Sequence, residues 1–511
     1  MNKLLAFLLP IMIVQCCAGK EQRDNKKSEL PIRRPAVAGQ FYSGDSTRLT
    51  NALNAFFDDA VLPSVEKPIA LVVPHAGYIY SGQIAADAFN QAKNYDYDVI
   101  VILGTNHTSP GFSGISIYPR GRYQTPLGMA DIDETIAASL IKAKKEYTFR
   151  PEVHRQEHSI EVQIPFIQYL FPGVKIVPVI VGKPDIDLCI NFGQVLADVL
   201  KKRNALIVAS SDLSHYPSYE NAVNVDQKTL EAIVKLDARN LQSVIRTQMT
   251  QHIQNLATCA CGEAPVLAAM EAAKGMGATC GTLISYANSG DVSFGNRDRV
   301  VGYGAVAFSK DDCLNNETSI HSPTNNQSLI LKDVQKRELL AFARKTIYQY
   351  LMSETVPLAR GYGPELQFKT GAFVTLKKNH QLRGCIGHMN NDLSLCAVVG
   401  SMALQAAFND RRFRPVTIDE LENIEIEISI LTPYQPIRNA NEIVLGQDGI
   451  VLRKNGNQAV FLPQVATEQG WNRQEFLDNL CKKAGLEDGC WQDDAELFTF
   501  QAVVFQESEM E

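Results

Sequence analysis

The chain has 511 residues, too many for one ordinary core, so two or three domains are expected. Apolar residues make up 45% and charged residues 21%, the balance of a globular protein. The net charge of −7 excludes a bulk nucleic-acid binder, which needs a basic surface against phosphate.

The chain opens with "MNKLLAFLLPIMIVQCCAGK", in which Lys3 precedes an apolar run from Leu4 to Val14. That run falls short of the roughly twenty residues of a membrane span, so it predicts an export signal over residues 1–19. Cys16 and Cys17 directly after it predict a lipoprotein signal; plain cleavage after Ala18 is the alternative. Residues 20–30 are charged and polar and read as a tether. The expected location is periplasmic or lipid-anchored, with secretion as the alternative, and the only expected membrane contact is the lipid anchor. Of the eleven cysteines, those beyond the signal show no framework spacing, so no disulfide scaffold is expected.

Residues 31–309 alternate strand-like and helix-like segments. The strand candidates, 69–73, 99–103, 176–181 and 205–209, are short continuous Val/Ile runs, as strands buried on both faces require. Helical segments at 82–93 and 188–201 intervene. This predicts an α/β domain, a mostly parallel sheet covered by helices.

Polar residues follow these strands at once. "LVVPHAGYIYSG" places His75 after the first, "LGTNHT" places His107 after the second, and "SSDLSHY" places Asp212 and His215 after another. Ligands bind at the carboxyl edge of an open α/β sheet. Two imidazoles and an anionic group suit a divalent transition metal. Cys259 and Cys261 in "TCACGEAP", Asp212 and Glu157 all fit as the third ligand. A thiolate would favour iron, zinc or copper. Asp212, three residues before His215, predicts a turn whose carboxylate fixes the imidazole. "HRQEH", His154 to His158, matches the inverted zinc-protease motif, which needs a long helix; Pro151 and Pro165 leave little room for one.

A polar stretch at residues 310–329 reads as a linker. Residues 330–508 change character. "GAFVTLKKNHQLRGCIGHM" predicts two strands around a turn, "DLSLCAVVGSMALQAAFND" a helix capped by Asn391 or Asp392, and the alternating Ile424–Leu431 a strand with one wet face. This is α+β with an antiparallel sheet. "LRGCIG" reads either as a ligand-facing Cys385 beside Arg383 or as bulge glycines around an inert thiol. Arg411, Arg412 and Arg414 read as an anion site or a solvated turn.

Taken together, "RRPAVAGQFY", "PHAGYIYSG", "LGTNH", "EHSIEVQIPF", "SSDLSHY", "CGEAPV" and "GYGAVAF", in this order, resemble the Memo-like family, the B component of the AmmeMemoRadiSam set. The resemblance implies the fold of the class III extradiol (LigB-like) dioxygenases, in which two His and a Glu hold Fe(II) and another His moves the proton. In Memo-like proteins Cys replaces that Glu. By motif, the implied metal ligands are His75, His107 and Cys261, with Cys259 outside the pattern. The implied catalytic residues are His215, Asp212 and His158, and Glu161 closes the E-H-S-x-E stretch. Iron is the expected metal, with zinc or copper as alternatives.

Residues 330–507, through "LRGCIG", "RRFRPV" and "ISILTP", resemble the AMMECR family, the A component. This implies a possible second site at Arg383, Cys385 and Arg412. The same context implies a radical-SAM protein as partner; this chain has no C-x3-C-x2-C cluster of its own. The function implied is an iron-dependent, dioxygenase-like oxidoreductase, with a non-catalytic metal or redox scaffold as the alternative.

Overall fold

The computed structural model describes residues 30–293, 295–310 and 331–510. The expected export signal, the tether up to Leu30 and the expected linker beyond Lys310 lie outside the described residues.

The Val/Ile runs form the centre of an eight-stranded sheet. Ala70–Val73, Ala205–Ser210, Val99–Thr105 and Lys175–Val181 lie side by side and parallel. Their apolar residues are buried on both faces, which is why no alternation shows in the sequence. Gly302–Ser309 and Cys280–Asn288 add an antiparallel pair beside Ala70–Val73. Ile115–Ile117 pairs antiparallel with Lys175–Val181 at the other side, and Tyr147–Thr148 closes that edge. The sheet is therefore mixed, with a parallel centre. Helices Tyr78–Asn90 and Ile186–Leu200 begin a few residues before the predicted segments. Register fixes the rim: Val73 lies opposite Ser210, and Leu103 opposite Ala209, so three strands end together.

The second half is α+β. One antiparallel sheet orders Gln381–His388, Ala372–Lys378, Ile424–Leu431 and Ala502–Gln506. Helices Asp333–Ser353 and Leu395–Phe408 share its apolar core. A smaller sheet, from Gln435–Ile437 to Asn457–Phe461, carries helices Pro463–Gln469 and Arg473–Lys483. Two expectations change here. The N-cap of Leu395–Phe408 is Ser394, because Asp392 is turned back onto His388. Cys481 and Cys490 form a disulfide that their irregular spacing did not announce.

The halves meet without a gap. Val356 and Leu358 belong to the apolar core of the first half. Arg360 pairs with Asp87, which is fully buried, and donates to the Asp59 carbonyl at 2.6 Å. Lys345 pairs with Asp59 at 2.6 Å, and Asn51 donates to the Met352 carbonyl at 3.2 Å. Among the described residues no helix is long and apolar enough to cross a membrane.

Candidate metal centre

The three strand ends bring His75, His107, Asp212 and His215 to one place, and the chain entering helix Glu263–Gly275 brings Cys261. One ligand atom each from His75, His107 and Cys261 lies within 4.8 Å of the others. The His75 Nε2 atom is 3.1 Å from the Cys261 sulfur. The two rings stand edge to face, 5.2 Å apart.

Outer hydrogen bonds set both imidazoles. The Ser210 hydroxyl donates its one hydrogen to the Ser159 carbonyl at 2.6 Å. It can therefore only accept from His75 Nδ1, 2.9 Å away, so the proton sits on Nδ1 and the Nε2 lone pair faces Cys261. Gln163 also donates to this hydroxyl, at 2.9 Å, fixing it further. At His107, Nδ1 donates to the Glu157 carboxylate at 2.9 Å and the backbone N–H donates at 2.7 Å. Glu157 is thus an orienting group for His107, the usual outer partner of a metal-binding imidazole.

Two glycines permit this assembly. A Cβ on Gly262 would sit 2.3 Å from the Ser210 carbonyl oxygen, so only glycine lets the Cys261 turn press against that strand end. A Cβ on Gly104 would sit 2.7 Å from the Ser159 hydroxyl, where the Glu157–Glu161 segment crosses the sheet.

Burial dominates the electrostatics of the site. Burial, then the neighbouring His107, His158 and His215 rings, holds His75 well below its usual range, so it is neutral. Burial brings His158 and His215 down to about 4. Burial works to raise Glu157, but the His107 hydrogen bond and charge outweigh it and bring it to about 2. Burial and then Asp212 push the Cys261 thiol well above its usual range in the protein alone. A neutral His75 beside a soft sulfur fits a borderline or soft divalent cation.

Asp212 differs from expectation. Its carboxylate accepts the backbone N–H groups of His75 at 2.7 Å and Ala76 at 3.2 Å. It fixes the His75 turn rather than the His215 ring. His215 is held by its backbone between Thr258 and Val301, and its Nε2 is buried with no hydrogen-bond partner among the described residues. Asp212, His215 and Cys261 form a second group of ligand atoms within 4.8 Å. His158 stacks on His107 at 4.7 Å.

The remaining candidates stand apart. Cys259 is fully buried, and burial pushes its thiol up to about 12. Glu161 pairs with Arg33 and accepts from Ala36, Val37 and Tyr42, pinning the first segment of the domain. "HRQEH" is split between Pro151–Arg155 and His158–Glu161, and both His154 ring nitrogens are taken by Ser116 and Tyr123. That breaks the inverted-motif geometry. In the second half, Arg383 pairs with Glu420, and Arg412 pairs with Asp410, which also accepts the Cys385 N–H at 2.9 Å. Gly384 packs on the Ala406 carbonyl and Gly387 on the Phe373 ring, so both serve packing. Cys385 and Arg412 still line a cleft of about 1050 Å³ between the two sheets. Sequence reasoning missed Ser210 altogether; the first serine of "SSD" was its only signal.

A family profile described as Memo-like protein matches residues 33–307, and one described as AMMECR1 matches residues 340–505. A MEMO1 family protein of Methanosarcina mazei is 37% identical over 284 residues, covering 54% of this chain and 99% of that protein. One from Caldivirga maquilingensis is 35% identical over 289 residues, with the same coverage. A crystal structure of an uncharacterized protein from Pyrococcus horikoshii is 35% identical, covering 35% of this chain and 93% of that one, with a TM-score of 0.33.

Proposed function

Through residues 33–307 the chain belongs to the Memo-like family, and on that premise we propose an exported metalloprotein centred on His75, His107 and Cys261. One observation carries this reading: Ser210 and Glu157 each hold the Nδ1 side of an imidazole, His75 Nε2 lies 3.1 Å from the Cys261 sulfur, and a ligand atom of His107 lies within 4.8 Å of both. Packing alone does not require that arrangement. Iron is the metal proposed, with zinc or copper as alternatives. When bound, it supplies a Lewis acid and, as iron, a redox couple.

The protein's own groups then divide the work. Asp212 holds the turn that carries His75. His215, neutral and with a free buried Nε2, accepts or returns the proton. His158 covers one face of His107. The reaction class proposed is an oxidoreduction, with a radical-SAM protein of the same set as partner; the family resemblance supports the partnership. Export, lipid-anchored or periplasmic, is supported by the apolar run at the start and by the Cys481–Cys490 disulfide, which suits an oxidising compartment.

Metal analysis of anaerobically purified full chain tests the centre. We expect about one metal per chain, lost in His75→Ala and in His107→Ala with the fold retained. Wild-type metal content in either variant would place the site elsewhere.

A second reading has its own observation. Asp212, His215 and Cys261 also converge, so His215 would serve as a further ligand in a closed, non-catalytic centre. His215→Ala separates the two. Metal retained with turnover cut by roughly 10²–10⁴ marks a proton-transfer group. Metal lost in parallel with His75→Ala marks a ligand and a scaffold.

A further inference from the structure

Beside His215 the chain does something packing does not ask for. Tyr216 donates its backbone N–H to Val300 at 2.7 Å, so residues 299–301 run alongside 215–217. Tyr216 holds φ at +74°, the left-handed region, which is a genuine outlier for a bulky side chain and points to a constrained site. The residue is 42% exposed, and its ring centroid lies 5.5 Å from that of His215.

Arg299 lies over this ring, its guanidinium carbon 4.7 Å from the centroid. Arg297 makes a similar contact, 3.4 Å over Tyr219, but the Tyr219 hydroxyl donates to Asp291, whose charge acts on Arg297. Arg299 differs. Among the described residues no carboxylate pairs with it. A continuous chain of contacts thus runs from an unpaired cation through Tyr216 and His215 to the centre.

We propose that Tyr216 and Arg299 form an anion-recognition element at the rim of the metal centre, and that the molecule bound there carries a carboxylate. The proposal rests on the metal-centre reading above. A guanidinium held over an aromatic face makes that contact through its carbon and keeps its N–H donors, which can meet a planar carboxylate at two points. The centre also needs such help. A divalent ion beside the Cys261 thiolate and the Glu157 carboxylate has little net positive charge left to attract an anion. Tyr216, left-handed at this point, carries the ring that lies between Arg299 and His215.

Cobalt(II)-loaded full chain, titrated with benzoate and with benzyl alcohol, tests this through the visible cobalt bands and ligand-observed NMR. Benzoate should bind saturably, at least tenfold tighter than the alcohol, and more weakly as salt rises. Arg299→Gln should weaken benzoate at least tenfold and leave the alcohol unchanged. Tyr216→Ala should act in the same direction, and Arg299→Lys should recover only part. Cobalt uptake should stay at the wild-type level in all three. Equal affinity for the two probes, or benzoate binding untouched by Arg299→Gln, would overturn the proposal. A chain that takes up no cobalt would instead sink the metal-centre reading; the same two titrations on the metal-free chain then decide the Arg299 arm by the same criteria.

Discussion

Cys259 and Cys261 show how much one turn decides. On an extended segment, residues two apart share a face, so spacing cannot choose between them. The chain turns at Cys261–Gly262 into a helix, and only Cys261 reaches His75. Cys261→Ser replaces a ligand that ionises on metal binding with one that does not. Its metal affinity should fall by more than the roughly 10–100-fold typical of an outer partner. Cys259→Ser should keep wild-type metal affinity and lose about 1–3 kcal/mol of stability through a buried hydroxyl. Competition titration against a chelator checks the first and urea unfolding the second; equal affinity losses would undo the assignment. His154 allows a second test, away from the ligands. Burial, then Arg33, brings its ring down to about 3. The unfolded chain protonates it near pH 6.5 and the folded chain does not, so stability present above that pH is lost as pH falls toward 3. In His154→Asn the fall in unfolding free energy between pH 6 and 4 should be shallower by about one proton, roughly 1.4 kcal/mol per pH unit. An unchanged slope would mean that the ring is not held neutral.

At the level of elements, the central strands were legible because burial on both faces leaves unbroken Val/Ile runs, and the rim was legible because a histidine follows two of them at once. The edges were not. Ile115–Ile117 and Tyr147–Thr148 are too short to leave a pattern, and the antiparallel pair Cys280–Asn288 and Gly302–Ser309 adds an edge to the mostly parallel sheet that the sequence did not announce. Nor was the orientation of the site. The partners of His75 and His107 come from Ser210 and Glu157, 135 and 50 residues away along the chain, and no local spacing encodes such a bond. Gly262 is the element-scale counterpart, since it sets how closely the helix Glu263–Gly275 approaches the end of Ala205–Ser210. A Cβ there would meet the Ser210 carbonyl at 2.3 Å and the Ser211 hydroxyl at 2.8 Å, and the former is backbone that cannot swing aside. Gly262→Ala should therefore push the helix start outward and carry Cys261 from His75. We expect a stability loss of about 1–3 kcal/mol and at least a tenfold loss of metal affinity, read by urea unfolding and chelator competition. A folded Gly262→Ala chain with wild-type affinity would show that the close approach does not position the thiol.

For the whole molecule, the question is whether a chain matched by two families behaves as one body or two. Composition suggested two cores joined by a polar stretch, and that view predicts independent halves. The interface argues otherwise. Val356 and Leu358 lie in the apolar core of the first half, and two further cross-contacts, Lys345 with Asp59 and Asn51 with the Met352 carbonyl, flank them. Arg360 is the strongest tie. Its partner Asp87 is fully buried and also accepts from Val61 N–H at 3.0 Å, so a lost guanidinium would leave a buried carboxylate only partly satisfied. The guanidinium is 31% exposed and the carboxylate fully buried, so losing the guanidinium should cost less than the roughly 3–5 kcal/mol of a fully buried pair. Protease cleavage within residues 311–330 should then leave the halves together on gel filtration, melting in one transition. Arg360→Ala, cleaved in the same way, should elute as separate fragments or melt in two steps. The uncleaved Arg360→Ala chain should keep its metal, since Asp87 lies on the helix Tyr78–Asn90 and not among the site residues. Wild-type halves that part on cleavage would mean that the apolar insertion and the buried pair are too weak to act without the covalent link, and the chain would then be two bodies on a tether.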